Sequence, residues 1–113
     1  MPVAISDVDT LKTYIEGVMG RAGHHATNVS AIGLALAGAI VWRKDQDPIE
    51  VMTQGGDLKN VLWVKIGGRR YAFSYNHTDQ EIEMRENTTH GAVLHRFSNA
   101  TPIHEVEQIF RGL

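Results

Sequence analysis

The chain of 113 residues contains no cysteine. That excludes disulfides, a thiolate nucleophile and any Cys-based zinc site, and it fits a reducing compartment. A charge excess of one sign is also missing: 11 Lys and Arg stand against 13 Asp and Glu, leaving a formal net charge of −2. Nucleic-acid binders draw much of their affinity from phosphate neutralisation, so this balance argues against a general one while leaving room for a local basic patch. No apolar run is long enough to cross a bilayer. Residues 31–42 are all apolar or glycine, but a span needs about 20 such residues. MPVAISDVDT lacks a basic segment followed by an apolar core, so it does not read as a signal peptide. There are no repeats, low-complexity tracts or linkers. The expectation is one cytoplasmic domain over residues 1–113, burying roughly two-thirds of its unfolded surface. Four Asn-x-Ser/Thr triplets, at Asn28, Asn76, Asn87 and Asn99, read as chance without a secretion signal.

What the chain does have is a hairpin signal in residues 60–77, NVLWVKIGGRRYAFSYNH. A two-residue loop that twists with its strands needs positive φ at its centre, which Gly67-Gly68 adopts without steric cost. Counting outward pairs Ile66 with Arg69, Lys65 with Arg70, Val64 with Tyr71, Trp63 with Ala72 and Leu62 with Phe73. Opposed residues share a face. Leu62, Val64, Ile66, Tyr71, Phe73 and Tyr75 then form a core face. Val61, Trp63, Lys65, Arg70, Ala72, Ser74 and Asn76 form a mixed one. A slip of one residue would send Lys65 and Arg70 into the core, so the pattern fixes the register.

Around the hairpin, Ser6 opens a helix whose apolar face carries Val8, Leu11, Ile15, Val18 and Met19. Thr27 or Asn28 caps a second helix through residues 31–38, with Ala31, Ala35 and Ala39 in a small-residue row. That row suits close packing on the protein's own sheet; the sharper reading is a homodimer contact. Gly38 is the expected stop, after which residues 39–43 favour a strand through their β-branched and aromatic content. The alternative is one helix running on to Arg43. Asp45-Gln46-Asp47-Pro48 is turn chemistry, and strands follow at 49–53, 81–85 and 92–97. Thr101 is the expected cap of a closing helix, with Pro102 at its first position and Ile103, Val106, Ile109, Phe110 and Leu113 as its apolar face. The predicted class is α+β: an antiparallel five- or six-stranded meander sheet with two N-terminal helices and one C-terminal helix packed on one face.

Three sets of residues carry candidate chemistry. Tyr75, His77 and Asp79 form the densest polar cluster: Asp79 would orient His77 as a general base beside Tyr75. The same residues suit a strand end entering a turn, and no nucleophile motif accompanies them. Lys65, Arg69 and Arg70 place positive charge at the hairpin tip, suited to an anion or nucleic acid; the bland role is a solvated tip that discourages edge aggregation. Gly67-Gly68 is no phosphate loop, lacking GxxxxGK[ST] and a following helix. Trp63, with Trp42 expected beside it near Ala72, forms an aromatic patch of the kind soluble monomers rarely leave bare. Glu50, Glu81, Glu83 and Glu86 are expected on exposed strand edges. The six histidines show neither HExxH nor i,i+4 spacing, so neither a metal nor any other cofactor is expected.

The segments NVLWVKIGGRRYAFSYNH, IEMRE and GAVLHRFSNATP with a closing helix resemble small hypothetical proteins encoded by mobile integron gene cassettes, from about residue 26 onward. The resemblance implies a small bacterial cytoplasmic α+β domain, often oligomeric, from a mobile and adaptive gene pool. It carries over no catalytic residue. The combined expectation is a non-enzymatic homodimeric binding or interaction module. Its site, for a small anionic ligand or a protein partner, would use Trp63, Arg70, Asn76, Lys65, Arg69 and Trp42 or lie between subunits. The alternatives are a small enzyme built on His77, Tyr75 and Asp79, or an anion or nucleic-acid binder at the hairpin tip.

Overall fold

The computed structural model describes residues 2–4, 8–9, 11–12, 29–54, 57–76 and 78–113. Strands β1 (Pro2–Ala4), β2 (Glu50–Gln54), β3 (Asp57–Ile66), β4 (Arg69–Asn76), β5 (Glu81–Glu86) and β6 (Val93–Phe97) lie in sequence order in one sheet. Every neighbouring pair is antiparallel. β2 to β6 make the expected meander, and β1 extends the outer edge of β2. Helix α1 (Ser30–Arg43) lies in the β1–β2 connection, and α2 (Ile103–Arg111) follows β6. No helix among the described residues is long and apolar enough to cross a membrane.

The central hairpin has the register that counting from Gly67-Gly68 gives, from Ile66 opposite Arg69 to Leu62 opposite Phe73. Both glycines have positive φ, 62° and 81°, the requirement of the type I′ turn that matches strand twist. Leu62, Val64, Ile66, Tyr71 and Phe73 are all buried. They join one core with Ile32, Leu36 and Ile40 of α1 and Val106 and Phe110 of α2. Phe110 stacks on Phe73 with ring centroids 6.2 Å apart. The helices therefore cover the apolar face of the sheet.

Residues 39–43 are helical, not a strand, and Gly38 does not stop α1. Ile32, Leu36 and Ile40 recur every four residues on the sheet-facing side, so continuing the helix buries Ile40 and Ala39. It also brings Arg43 to the end of α2, where Nε donates to the Phe110 carbonyl (3.0 Å) and Nη2 to the Leu113 carbonyl (3.4 Å). The Phe110 carbonyl also accepts from Leu113 N–H at 3.2 Å, so Arg43 adds a second donor to the C-terminal turn that follows α2. Packing and this interhelical contact outweigh the β-propensity of Ile40, Val41 and Trp42. The sheet position expected for 39–43, beside β2, is taken by β1. Its Pro2 sits at a sheet edge, where a missing N–H is tolerated.

The other helix termini also depart from local expectation. Val29 occupies the N-cap of α1 without a side-chain cap; instead Asn99 Oδ1, from the β6–α2 turn, accepts from Ile32 N–H at 3.0 Å. Thr101 does not cap α2. Its Oγ1 accepts from Ser98 N–H (3.0 Å), and the helix begins after Pro102. Ile103, expected on the apolar face, is 73% exposed. Of the first predicted helix, Val8, Asp9, Leu11 and Lys12 are described and helical. Leu11 enters the core, while Val8 is exposed rather than on the buried face. The rest of that helix, and Thr27 and Asn28, lie outside the described residues.

Candidate functional site

The sheet face away from the helices is built in cross-strand rows. One row runs Glu50, Trp63, Ala72, Arg85 across β2 to β5; the next runs Val61, Ser74, Glu83, Arg96 across β3 to β6. The first row holds a cavity of about 250 Å³ lined by Asp47, Pro48, Glu50, Trp63, Lys65 and Arg70. Trp63 was expected as bare aromatic surface, but it is only 6% exposed within the single chain. Ala72 supplies a small neighbour on one side, and the Arg70 guanidinium lies over the indole, 5.0 Å from the ring centroid. The indole N–H is buried and has no hydrogen-bond partner among the described residues.

Charge around this cavity is balanced. Arg70 Nη2 stands 3.4 Å from Glu50 Oε1, and its Nη1 donates to the Asn87 carbonyl at 3.1 Å. Lys65 Nζ lies 3.4 Å from Asp47 Oδ2. Both ion pairs are long and partly hydrated, so each contributes about 0–1 kcal/mol. The hairpin tip is equally occupied. Asp45 accepts from Gly67 N–H through Oδ1 (2.9 Å) and from Gly68 N–H through Oδ2 (2.8 Å). Those backbone bonds, helped by Lys65 and Arg43, hold the Asp45 carboxyl below its ordinary range. The N–H groups that would have served an anion at the tip are committed to Asp45.

Of the six expected binding residues, the structure brings together Trp63, Lys65 and Arg70. Arg69 pairs across from Ile66 at the exposed tip. Asn76 lies at the far end of β4, and Trp42 is on α1 in the helical layer rather than beside Ala72. Counting did not bring in Glu50, Asp47 or Pro48, which complete the cavity. For the catalytic candidates, Tyr75 packs against the helix-side core, whereas Asp79 Oδ2 accepts from Asn76 Nδ2 on the opposite face (3.2 Å). Asn76 Oδ1 also accepts from Thr78 and Asp79 N–H, the bonding of an Asx turn. His77 lies outside the described residues.

Asn76 belongs instead to a network around Glu83. Glu83 was expected on an exposed edge but is 5% exposed. Its Oε1 accepts from Arg85 Nη2 (2.9 Å) and Nε (3.3 Å); its Oε2 accepts from Arg96 Nη1 (2.6 Å) and Asn76 Nδ2 (3.1 Å). Burial pushes this carboxyl up, but the bonds from Asn76 and Arg85 and the two guanidinium charges together outweigh it. The net direction is down. With both oxygens occupied, Glu83 reads as an organising ion cluster rather than a reactive acid. Arg85 Nη1 continues it to the Gly91 carbonyl at 2.8 Å.

On the helical layer, α1 and α2 enclose a second, shallower groove of about 220 Å³ floored by Ala35, Gly38 and Ala39, with Trp42 and Ile103 at its sides. Trp42 is 48% exposed and lies between the guanidinium groups of Arg43 (5.6 Å) and Arg111 (5.2 Å). Among the described residues, no three His, Asp or Glu side chains gather to hold a metal ion. His95 tilts against Phe97, His90 and His104 are exposed, and His24 and His25 lie outside the described residues.

Among curated proteins, none matches this chain. A family model does. The similarity visible from about residue 26 begins earlier, at residue 11, and runs to 107, covering α1, the whole meander and the first half of α2. It is the model described as "Integron cassette protein VCH_CASS1 chain", and the chain belongs to this integron cassette protein family.

Proposed function

We propose that the protein is a non-enzymatic binding module that takes a small ligand in the cavity beside Trp63. The observation that carries this reading is the indole itself: buried on the polar face of the sheet, roofed by a guanidinium, at the edge of a cavity, with its N–H unpartnered. A buried indole N–H ordinarily finds an acceptor, and leaving a donor unpaired costs about 1–3 kcal/mol. A phenylalanine there would fill space and keep a ring under Arg70 without that cost, so packing and the Arg70 contact do not account for the indole N–H. The test is a titration of the 15N-labelled protein with a panel of small aromatic and polar fragments. Amide shifts clustered at Glu50, Trp63, Lys65 and Arg70 support the reading. Shifts clustered elsewhere, or none, overturn it.

A second reading, self-association, rests on a different observation. Helix α1 carries no charged residue before Arg43, and a helix apolar on all sides is ordinarily buried on all sides. Here Leu34, Gly38, Val41 and Trp42 form an exposed stripe. The same surface offers both projecting groups, Trp42 and Ile103, and a floor free of large side chains at Gly38. A two-fold contact needs both on one face. The subunit contact we propose is therefore on the helical layer rather than at Trp63. Sedimentation at micromolar concentration should show a dimer that Trp42→Ala dissociates; a monomeric wild-type chain would sink it.

A further inference from the structure

We infer that the ligand of the Trp63 cavity is a small zwitterion of the α-amino-acid class, carrying a carboxylate, an ammonium group and an apolar or aromatic side group. This rests on the reading of that cavity as a binding site, and it narrows the chemistry from the lining.

Size comes first. Sites for drug-sized ligands enclose about 300–1,000 Å³, and this cavity holds about 250 Å³. That admits a molecule of amino-acid size and leaves no room for a nucleotide. Charge comes second. Two cations, Lys65 and Arg70, and two carboxylates, Asp47 and Glu50, line the same concavity. A ligand of one sign meets as many repelling groups as attracting ones. A neutral ligand without charges leaves all four with nothing better than their present partners. A zwitterion can satisfy both signs at once, with its carboxylate toward Lys65 and Arg70 and its ammonium toward Glu50 and Asp47.

The existing ion pairs make that exchange inexpensive. Both span 3.4 Å, longer than the roughly 2.7–2.9 Å of a strong charge-assisted hydrogen bond. Lys65 and Asp47 are about half exposed. By contrast, Glu83 in the neighbouring cross-strand row holds Arg96 at 2.6 Å and Arg85 at 2.9 Å and has no bonding capacity to offer. The same face thus carries one charge cluster that is closed and one that is open. Pro48, with the part of Trp63 that Arg70 leaves uncovered, supplies a short apolar wall for the side group.

The experiment is isothermal titration calorimetry on the full chain with three probes that share the phenylalanine skeleton and differ in charge. L-phenylalanine is the zwitterion, N-acetyl-L-phenylalanine the anion, and L-phenylalanine methyl ester the cation. Indole serves as an uncharged fourth probe. L-phenylalanine is expected to bind about tenfold or more tightly than either singly charged analogue, the loss that follows one missing charged hydrogen bond. Glu50→Gln should narrow the gap between L-phenylalanine and its N-acetyl form, and Arg70→Gln the gap between L-phenylalanine and its ester. Equal affinity for the three, or tighter binding of an analogue or of indole, overturns the zwitterion while leaving the cavity as a site. Binding by none of the four overturns it as well; the fragment titration above then decides separately whether the cavity binds at all.

Discussion

Asp45 shows how a single residue can settle what a loop is for. The turn glycines present two N–H groups to the same side, and a carboxylate from the α1–β2 connection takes both, one on each oxygen. Asp45 N–H in turn donates to the Lys65 carbonyl at 2.8 Å, so the connection is laced to the hairpin at three points. The glycines were legible because positive φ is a local requirement. Their partner was not, because it lies 22 and 23 residues away and nothing in local spacing links it to the turn. With Gly67 at φ 62° and Gly68 at φ 81°, Gly67→Ala and Gly68→Ala should each lower stability by about 1–2 kcal/mol, the cost of a left-handed conformation for an L-residue. Gly67→Ala should be the worse of the two. Its Cβ would sit 3.2 Å from the Leu113 carbonyl oxygen, while none of the described residues lies within 4 Å at Gly68. Urea unfolding of the two variants checks both the size and the order; an unchanged midpoint would mean the turn relaxes to another type.

At the scale of elements, the sheet read well and the helix ends read poorly, for one physical reason. Strand pairing across a two-residue turn is fixed by counting, and face follows from alternation. Hence the β3–β4 register and its core face were legible. Helix ends are fixed by what packs against them. Arg43 reaching the carbonyls of α2 and Asn99 capping α1 are contacts between distant segments. Composition of residues 39–43 therefore pointed to a strand that tertiary packing overrides. Irregular pairing governs the rest of the cavity: Thr53 pairs with Leu58, but the register shift between Val51 and Thr53 puts Glu50 opposite Trp63. Gly38 gives the element-scale arm of the dimer prediction. Its φ is not positive and a Cβ there would meet none of the described residues within 4 Å. Alanine should thus stabilise the monomeric fold by about 0.5–1 kcal/mol. If α1 packs closely on a second copy, Gly38→Ala should weaken that association in the same sedimentation experiment. A variant that gains stability and keeps its dimer places the contact away from Gly38.

For the whole molecule, the sheet divides labour between its faces: one is closed by helices, the other is held by charge. The sequence showed that Trp63, Lys65 and Arg70 share the second face. It did not show that their neighbours neutralise them, nor that Glu83 is buried, because a carboxylate's burial depends on rows assembled from four strands. This division has a consequence for acid stability. Asp45 and Glu83 both titrate below their ordinary values of 3.8 and 4.5 in the folded chain. A carboxyl with a depressed folded value contributes stability that is complete above its unfolded value and is lost as pH falls through the folded one. Thermal stability should therefore be nearly level from neutral pH to about pH 5 and fall from about pH 4.5 downward as the two sites protonate. Glu83→Gln removes the charge that Arg85 and Arg96 share. It should cost about 2–3 kcal/mol at pH 7, since it leaves two guanidinium groups without their buried partner. The cost should shrink as pH falls through the lowered folded value of the Glu83 carboxyl, because the wild-type side chain then loses the same charge. Combined with Asp45→Asn, it should flatten the acid limb of the melting-temperature profile. An acid limb as steep in the double variant as in the parent would place the sensitivity on other carboxylates and remove these two from the account of what holds the polar face together.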